Sequence, residues 1–164
     1  MVAEVLSDLD DRIQATNGLV HVGPLPTILA SPLQVRQLFQ NLISNALKFH
    51  PVGVAPEVHI DAISRGDGRA PRGRRDRCQS WEIRIRDNGI GFDEKHAEKI
   101  FAPFQRLHGR QVYDGTGMGL AICRRIAAFL DGTITATSQL GQGATFLLTL
   151  PRTPLVVDSL ATAG

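Results

Sequence analysis

The stretch from Ser31 to His50, SPLQVRQLFQNLISNALKFH, narrows the possible folds of this chain more than any other. Val35, Leu38, Phe39, Leu42, Ala46 and Phe49 recur at helical spacing, which predicts an amphipathic helix facing a core. Ser31 can cap it, Pro32 suits its first position, and Gln34 completes a Ser-x-x-Gln capping pattern. His50-Pro51 ends it, because a residue before proline leaves the α region. Asn41, Asn45 and Lys48 follow at i, i+4 and i+7 and so share one face. Carboxamides ligate hard cations through oxygen, and lysine offers phosphate a point charge. The same trio also suits a partly solvated helix face, and only the rest of the chain separates the two readings.

Around this helix the pattern alternates between helix and strand. Val2, Leu6, Leu9 and Ile13 predict a short acidic helix stopped near Gly18. Leu19 to Val22 and Thr27 to Ala30 are short strand candidates on either side of Gly23-Pro24. Val58, Ile60 and Ala62 alternate with His59, Asp61 and Ile63, and Trp81, Ile83 and Ile85 with Glu82, Arg84 and Arg86. Both runs predict half-buried strands, paired antiparallel across an arginine-rich insertion from Arg65 to Ser80. Asp93 to Phe101 is a short helix candidate, and Ala102 to Thr116 a polar loop. Gly117 to Leu130 is a second amphipathic helix closed by Gly132. Thr133 to Ser138 and Ala144 to Leu150 predict a hairpin around Gly141-Gln142-Gly143. Arg152 to Gly164 reads as a tail.

With 164 residues, 43% of them hydrophobic, the chain has one-domain length and enough apolar surface for a core. A net charge of +2 is too mild to imply nucleic acid. No apolar run approaches the roughly 20 residues that cross a bilayer, so direct membrane contact is not expected. Cys78 and Cys123 form neither a CxxC pair nor a disulfide framework, which points to a reducing compartment and a cytoplasmic setting. Cys78 sits among arginines, where an idle exposed thiol is the simplest reading.

Three glycine clusters bear on the helix face: Asp87-x-Gly89-x-Gly91, Gly115-x-Gly117-x-Gly119 and Gly141-x-Gly143. A glycine loop running into a helix at Gly117 to Leu120 presents free N–H groups and the positive end of a dipole, suited to a polyphosphate. Asp87, at the end of an apolar strand, is a carboxylate entering a cleft and can accept from an exocyclic amine. No GxxxxGK[ST] motif occurs, and GxGxG does not follow a strand as a dinucleotide fingerprint must.

The clusters, in this order, resemble the catalytic ATP-binding domain of sensor histidine kinases, within the GHKL superfamily of gyrase, heat-shock chaperone ATPases, histidine kinases and MutL. NLISNALKF at 41–49 resembles the N box and DNGIGF at 87–92 the G1 box. IFAPFQRL at 100–107 resembles the F box, GTGMGLAI at 115–122 the G2 box and GQGATF at 141–146 the G3 box. The resemblance implies a two-layer α/β sandwich of the Bergerat type, a mixed sheet with three main helices on one face. It assigns residues 1–151 to this domain and 152–164 to a tail.

It also implies roles. Asn45 would ligate Mg²⁺ on the ATP phosphates, with Lys48 and Asn41 nearby. Asp87 would bind the adenine amine, and Gly89 and Gly91 would shape the pocket. Arg106 would approach the γ-phosphate, and Ala102 to Gly115 would form a lid. Gly117, Gly119 and Leu120 would hold phosphates through backbone, and Phe101 and Phe104 would pack in the core or couple the lid to a partner helix. The partners implied are a dimerisation or histidine-phosphotransfer domain carrying the acceptor and, downstream, a response regulator. None of His21, His50, His59, His96 and His108 has the acidic neighbour of such an acceptor, so the acceptor is expected outside this sequence. A GHKL-type ATPase and a non-catalytic nucleotide-binding regulatory module are the alternatives. ATPases of the superfamily carry a glutamate four residues before the metal-binding asparagine, where this chain has Asn41.

Overall fold

The computed structural model describes residues 1–65, 80–105 and 116–152. Helices α1 (Val2–Asp8) and α2 (Asp10–Ala15) lead into strand β1 (Leu19–Val22), and helix α3 (Pro32–Lys48) follows. Then come β2 (Glu57–Arg65) and β3 (Ser80–Asp87), helix α4 (Gly119–Phe129), and strands β4 (Thr133–Ser138) and β5 (Ala144–Pro151). The strands form one sheet in the order β1-β2-β3-β5-β4, with β1 and β2 parallel and the other neighbours antiparallel. The expected mixed sheet is present.

Strand alternation decides which face is covered. Ile60, Ile85, Phe146 and Ala136 line up across β2, β3, β5 and β4, and all four are buried. Ile83, Leu148 and Ile134 form the next row. Against this face α3 lays Leu38, Phe39, Leu42, Ile43, Ala46 and Leu47, and α4 lays Cys123, Ile126 and Ala127. Each large apolar side chain buried here contributes roughly 1.5–3 kcal/mol. α1 packs on α3 through the buried Val5 and completes the helical layer. The other face of the sheet is polar. Arg84 pairs with Asp61 at 2.8 Å, and Arg65 with Glu82 at 2.9 Å.

Local structure departs from the sequence expectations in several places. The first helix is two helices, broken at Leu9, which is itself buried. Ser31 makes no side-chain cap bond, so Pro32 in the first turn and the Val35 N–H to the Ser31 carbonyl (3.1 Å) set the start of α3. Thr27 to Ala30 is irregular chain with Ile28 and Ala30 against the core, not a strand. Asp93 to Phe101 forms two short 3₁₀ turns, Glu94–His96 and Lys99–Phe101, the first opened by the Asp93 carboxylate accepting from the Lys95 N–H. The arginine-rich insertion, Cys78 and the tail expectation fall mostly on 66–79 and 153–164, outside the described residues. Among the described residues no helix is long and apolar enough to cross a membrane.

α2 and α4 end alike. At α4 the Gly132 N–H bonds the Ala127 carbonyl at 2.9 Å and the Asp131 N–H the Ala128 carbonyl at 3.1 Å, the paired bonds of a Schellman stop. The left-handed residue is Asp131 (φ 54°), not Gly132. Asn17 (φ 51°) plays the same part before Gly18. Asp131→Gly should therefore relieve backbone strain and raise stability by about 0.5–1 kcal/mol, or about 2 °C in Tm for a domain of this size. A lower Tm on thermal denaturation would count against this assignment of the cap.

Candidate functional site

Asp87 is the last residue of β3 and continues the inward-facing series Ile83, Ile85. The pattern calls for an apolar side chain there, and it holds instead the one buried charged residue among those described, 9% exposed. Its Oδ1 accepts from the Gly89 N–H at 2.8 Å and the Ala144 N–H at 3.1 Å. Burial pushes the carboxyl above the usual carboxylate range, and the two backbone bonds draw it part of the way back. Both of these bonds land on one oxygen, Oδ1.

Three backbone segments cross beside this carboxylate. The Ile90 N–H donates to the Phe49 carbonyl at the end of α3 (2.8 Å), and the Gly141 N–H donates to the Ile90 carbonyl (2.8 Å). Gly91 and Gly143 have φ of +63° and +80°. A Cβ at Gly91 would land on the Gln139 carbonyl, and one at Gly143 on the Asp87 carbonyl. These glycines therefore lock two loops together and hold the walls around Asp87. Ser138 fastens the same crossing. Its Oγ donates to the Gly143 carbonyl at 2.6 Å and accepts from the Phe92 N–H at 2.9 Å. Asn88 ties the loop to the start of β2, accepting from the Glu57 N–H (2.8 Å) and donating to the Ala55 carbonyl (3.1 Å).

The middle of α3 meets the start of α4. Asn41 Nδ2 donates to the Gly119 carbonyl at 3.3 Å. One turn away the Cys123 thiol donates to the Leu38 carbonyl at 3.7 Å. Burial pushes that thiol up to about 12, which makes it inert. Gly119 opens α4, with Leu120 half-buried in its first turn. Just before it, the Gly117 carbonyl accepts from the Phe104 N–H at 3.1 Å. Phe104 is left-handed (φ 61°) and 75% exposed, whereas Phe101 is buried edge-on to Phe146. Arg106, Gly115 and most of the lid segment lie at 106–115, outside the described residues.

The expected residues thus gather around α3. Asn41 touches Gly119 at one pole, and the Phe49 carbonyl holds the Gly89–Gly91 loop and Asp87 at the other. Asn45 and Lys48 lie between them, half-buried, with Lys48 Nζ 4.6 Å from the Phe49 ring centre. The helical rise puts Asn41 and Lys48 about 10 Å apart along the axis. Ser138, Asn88, the Ala144 N–H and the Phe49 carbonyl do not stand out in the sequence. Ser138 and Asn88 carry the only visible signal, a small polar residue beside a glycine loop.

The family model for histidine kinase-, DNA gyrase B-, and HSP90-like ATPases matches residues 30–154. Over 148 residues the chain is 45% identical to cyanobacterial phytochrome A of Nostoc sp., a match covering 90% of this chain and 18% of that protein. It is 36% identical over 154 residues to the adaptive-response sensory kinase SasA of Synechococcus elongatus, covering 92% of this chain and 36% of the relative. The structure of full-length ShkA in complex with AMPPNP matches with a TM-score of 0.68 and 29% identity, over 91% of this chain and 28% of that one. The chain therefore spans well under half the length of these relatives. The family match over most of the chain, the five-stranded mixed sheet under its helices and the glycine loops locked around a buried aspartate agree: this chain belongs to the histidine kinase-, DNA gyrase B- and HSP90-like ATPase family and is similar to the ATP-binding domains of its sensor histidine kinases.

Proposed function

We propose that residues 1–151 bind Mg-ATP and pass its γ-phosphoryl group to a histidine on a separate dimerisation or phosphotransfer domain, in two-component signalling that ends at a response regulator. That reading puts the domain in the cytoplasm, where ATP and the regulator are found. The observation that carries it is the buried Asp87 carboxylate, held by Gly89 and Ala144 beside the C-terminal end of α3, while Asn41, about two turns back along the helix, meets the start of α4. The two poles suit the base and the phosphates of one extended nucleotide. ShkA, a similar protein, is seen with the ATP analogue AMPPNP.

In this reading Asp87 accepts the adenine amine on its second oxygen. Backbone N–H groups at Gly117, Gly119 and Leu120, at the positive end of the α4 dipole, take the phosphates. Lys48 adds a point charge there, and Arg106 a planar one close to the γ-phosphate. Asn45 offers a carboxamide oxygen from a half-buried position, which fits Mg²⁺, a cation that keeps water and phosphate oxygens in most of its shell. When bound, that cation neutralises phosphate charge.

Asp87→Asn turns one carboxylate oxygen into a donor. It should weaken ATP binding about 10- to 100-fold, read by calorimetry with the non-hydrolysable analogue. Wild-type affinity in that variant would remove Asp87 from the site. Transfer of labelled phosphate to a supplied histidine-phosphotransfer domain tests the reaction itself.

A further inference from the structure

On the polar face of the sheet, away from α3 and the nucleotide-binding residues, three metal-ligating side chains converge. Parallel pairing of β1 and β2 sets His21 opposite His59 and Leu19 opposite Glu57. Strand alternation puts Glu57 and His59 on one face, with Val58 and Ile60 buried on the other. The imidazoles stack with centroids 4.7 Å apart and planes inclined by 19°. Nε2 of both rings approaches the same Glu57 Oε1, at 2.7 Å from His59 and 3.5 Å from His21. All three donor atoms lie within 4.8 Å of one another.

We propose that His21, Glu57 and His59 form a site for a divalent transition metal ion, with Zn²⁺ as the reference occupant. Two imidazole nitrogens and a carboxylate oxygen are a ligand set that zinc accepts, with water in the fourth position. Metal–ligand bonds of about 2.0–2.1 Å in a tetrahedron separate the ligand atoms by about 3.3 Å, between the two spacings seen here. The nitrogen content favours zinc, nickel or copper over magnesium or calcium, which take oxygen shells. The negative charge of Glu57 offsets part of the ion's charge, while Arg86, opposite His59 in the β2–β3 register, opposes it and sets a limit on affinity. Occupancy would tie the edge strand β1, and with it the link from α1 and α2, to β2. None of the three ligands belongs to the proposed ATP site, so the ion acts on the edge of the sheet and not on the phosphates.

The test is titration of chelator-treated protein with Zn²⁺ by calorimetry, and with Co²⁺ by visible absorption, in a buffer that does not bind metals. A Cys78→Ser background removes that thiol as a competing ligand. One saturable ion per chain is expected, with His21→Gln and His59→Gln each weakening it at least about tenfold. Zn²⁺ should also raise the Tm of the Cys78→Ser protein, and raise that of either glutamine variant less at the same Zn²⁺ concentration. Both histidines are about half exposed, so the variants should keep the metal-free Tm of their parent. Absence of saturable binding would overturn the site and leave an ordinary His–Glu–His cluster, with His59 hydrogen-bonded to Glu57. Equal affinity in the variants would overturn it as well, by placing the ion elsewhere.

Discussion

Gly143→Ala is expected to cost about 3–6 kcal/mol of unfolding free energy, a large share of the roughly 5–15 kcal/mol that keeps a domain folded. Two effects add. The left-handed φ of +80° penalises any Cβ by about 1–2 kcal/mol. The larger effect is steric, because the new Cβ would land on the Asp87 carbonyl and close to Asn88 Cα. These are backbone atoms and cannot swing aside as a side-chain tip can. Separating the strands there breaks the Ala144 N–H bond to Asp87 and the Ser138 bond to the Gly143 carbonyl, each worth about 1–3 kcal/mol when a buried partner is stranded. Gly141 is the internal control. It lies in the same loop at φ +75° with nothing within 4 Å of an added methyl, so Gly141→Ala should cost only about 1–2 kcal/mol. Urea denaturation of the two variants separates the cases. Equal losses would mean that the locked crossing does not hold the site together.

That contrast also marks what was legible in the sequence. Period-two alternation located β2 and β3 and put Asp87 at the end of an apolar strand; its burial follows from the covered face of the sheet, where register leaves no freedom. Helical spacing likewise found α3 and its Asn41, Asn45, Lys48 face. The glycine motifs were visible, but their work was not. From the sequence they suggest loops around a ligand. In the fold, Gly91 and Gly143 make room for carbonyls of residues about 50 positions away in the chain, which no local pattern encodes. The capping pattern at Ser31 failed for a related reason: Gln34 Oε1 is buried without a partner among the described residues, so the tertiary packing of α3 overrode a local preference. The helix stops at Gly18 and Gly132 were legible, but the left-handed residue at each is the one before the glycine, Asn17 or Asp131.

Steady-state hydrolysis of ATP by the domain alone is expected to run at least about 10²-fold slower than phosphoryl transfer to a supplied histidine acceptor. This expectation rests on the proposed kinase activity. Phosphoryl transfer asks little covalent help of a protein; positioning and charge neutralisation dominate. An imidazole is already a good nucleophile, whereas water gains about 10²–10⁴-fold from a positioned general base. The position four residues before Asn45 is Asn41, and a carboxamide takes no proton at neutral pH. The structure gives Asn41 a different task. Its Nδ2 donates to the Gly119 carbonyl and so fixes the first turn of α4, whose N–H groups are to meet the phosphates. Asn41→Ala should therefore lower ATP affinity and acceptor transfer together, while leaving the slow hydrolysis about where it was. Asn41→Glu should not create an ATPase. A carboxylate has no hydrogen for the Gly119 carbonyl, so the new side chain is repelled from the contact that positions α4 before it can act on water. Hydrolysis and transfer measured side by side on wild type, Asn41→Ala and Asn41→Glu decide the matter. Brisk wild-type hydrolysis that Asn41→Ala selectively abolishes would replace the kinase reading with an ATPase.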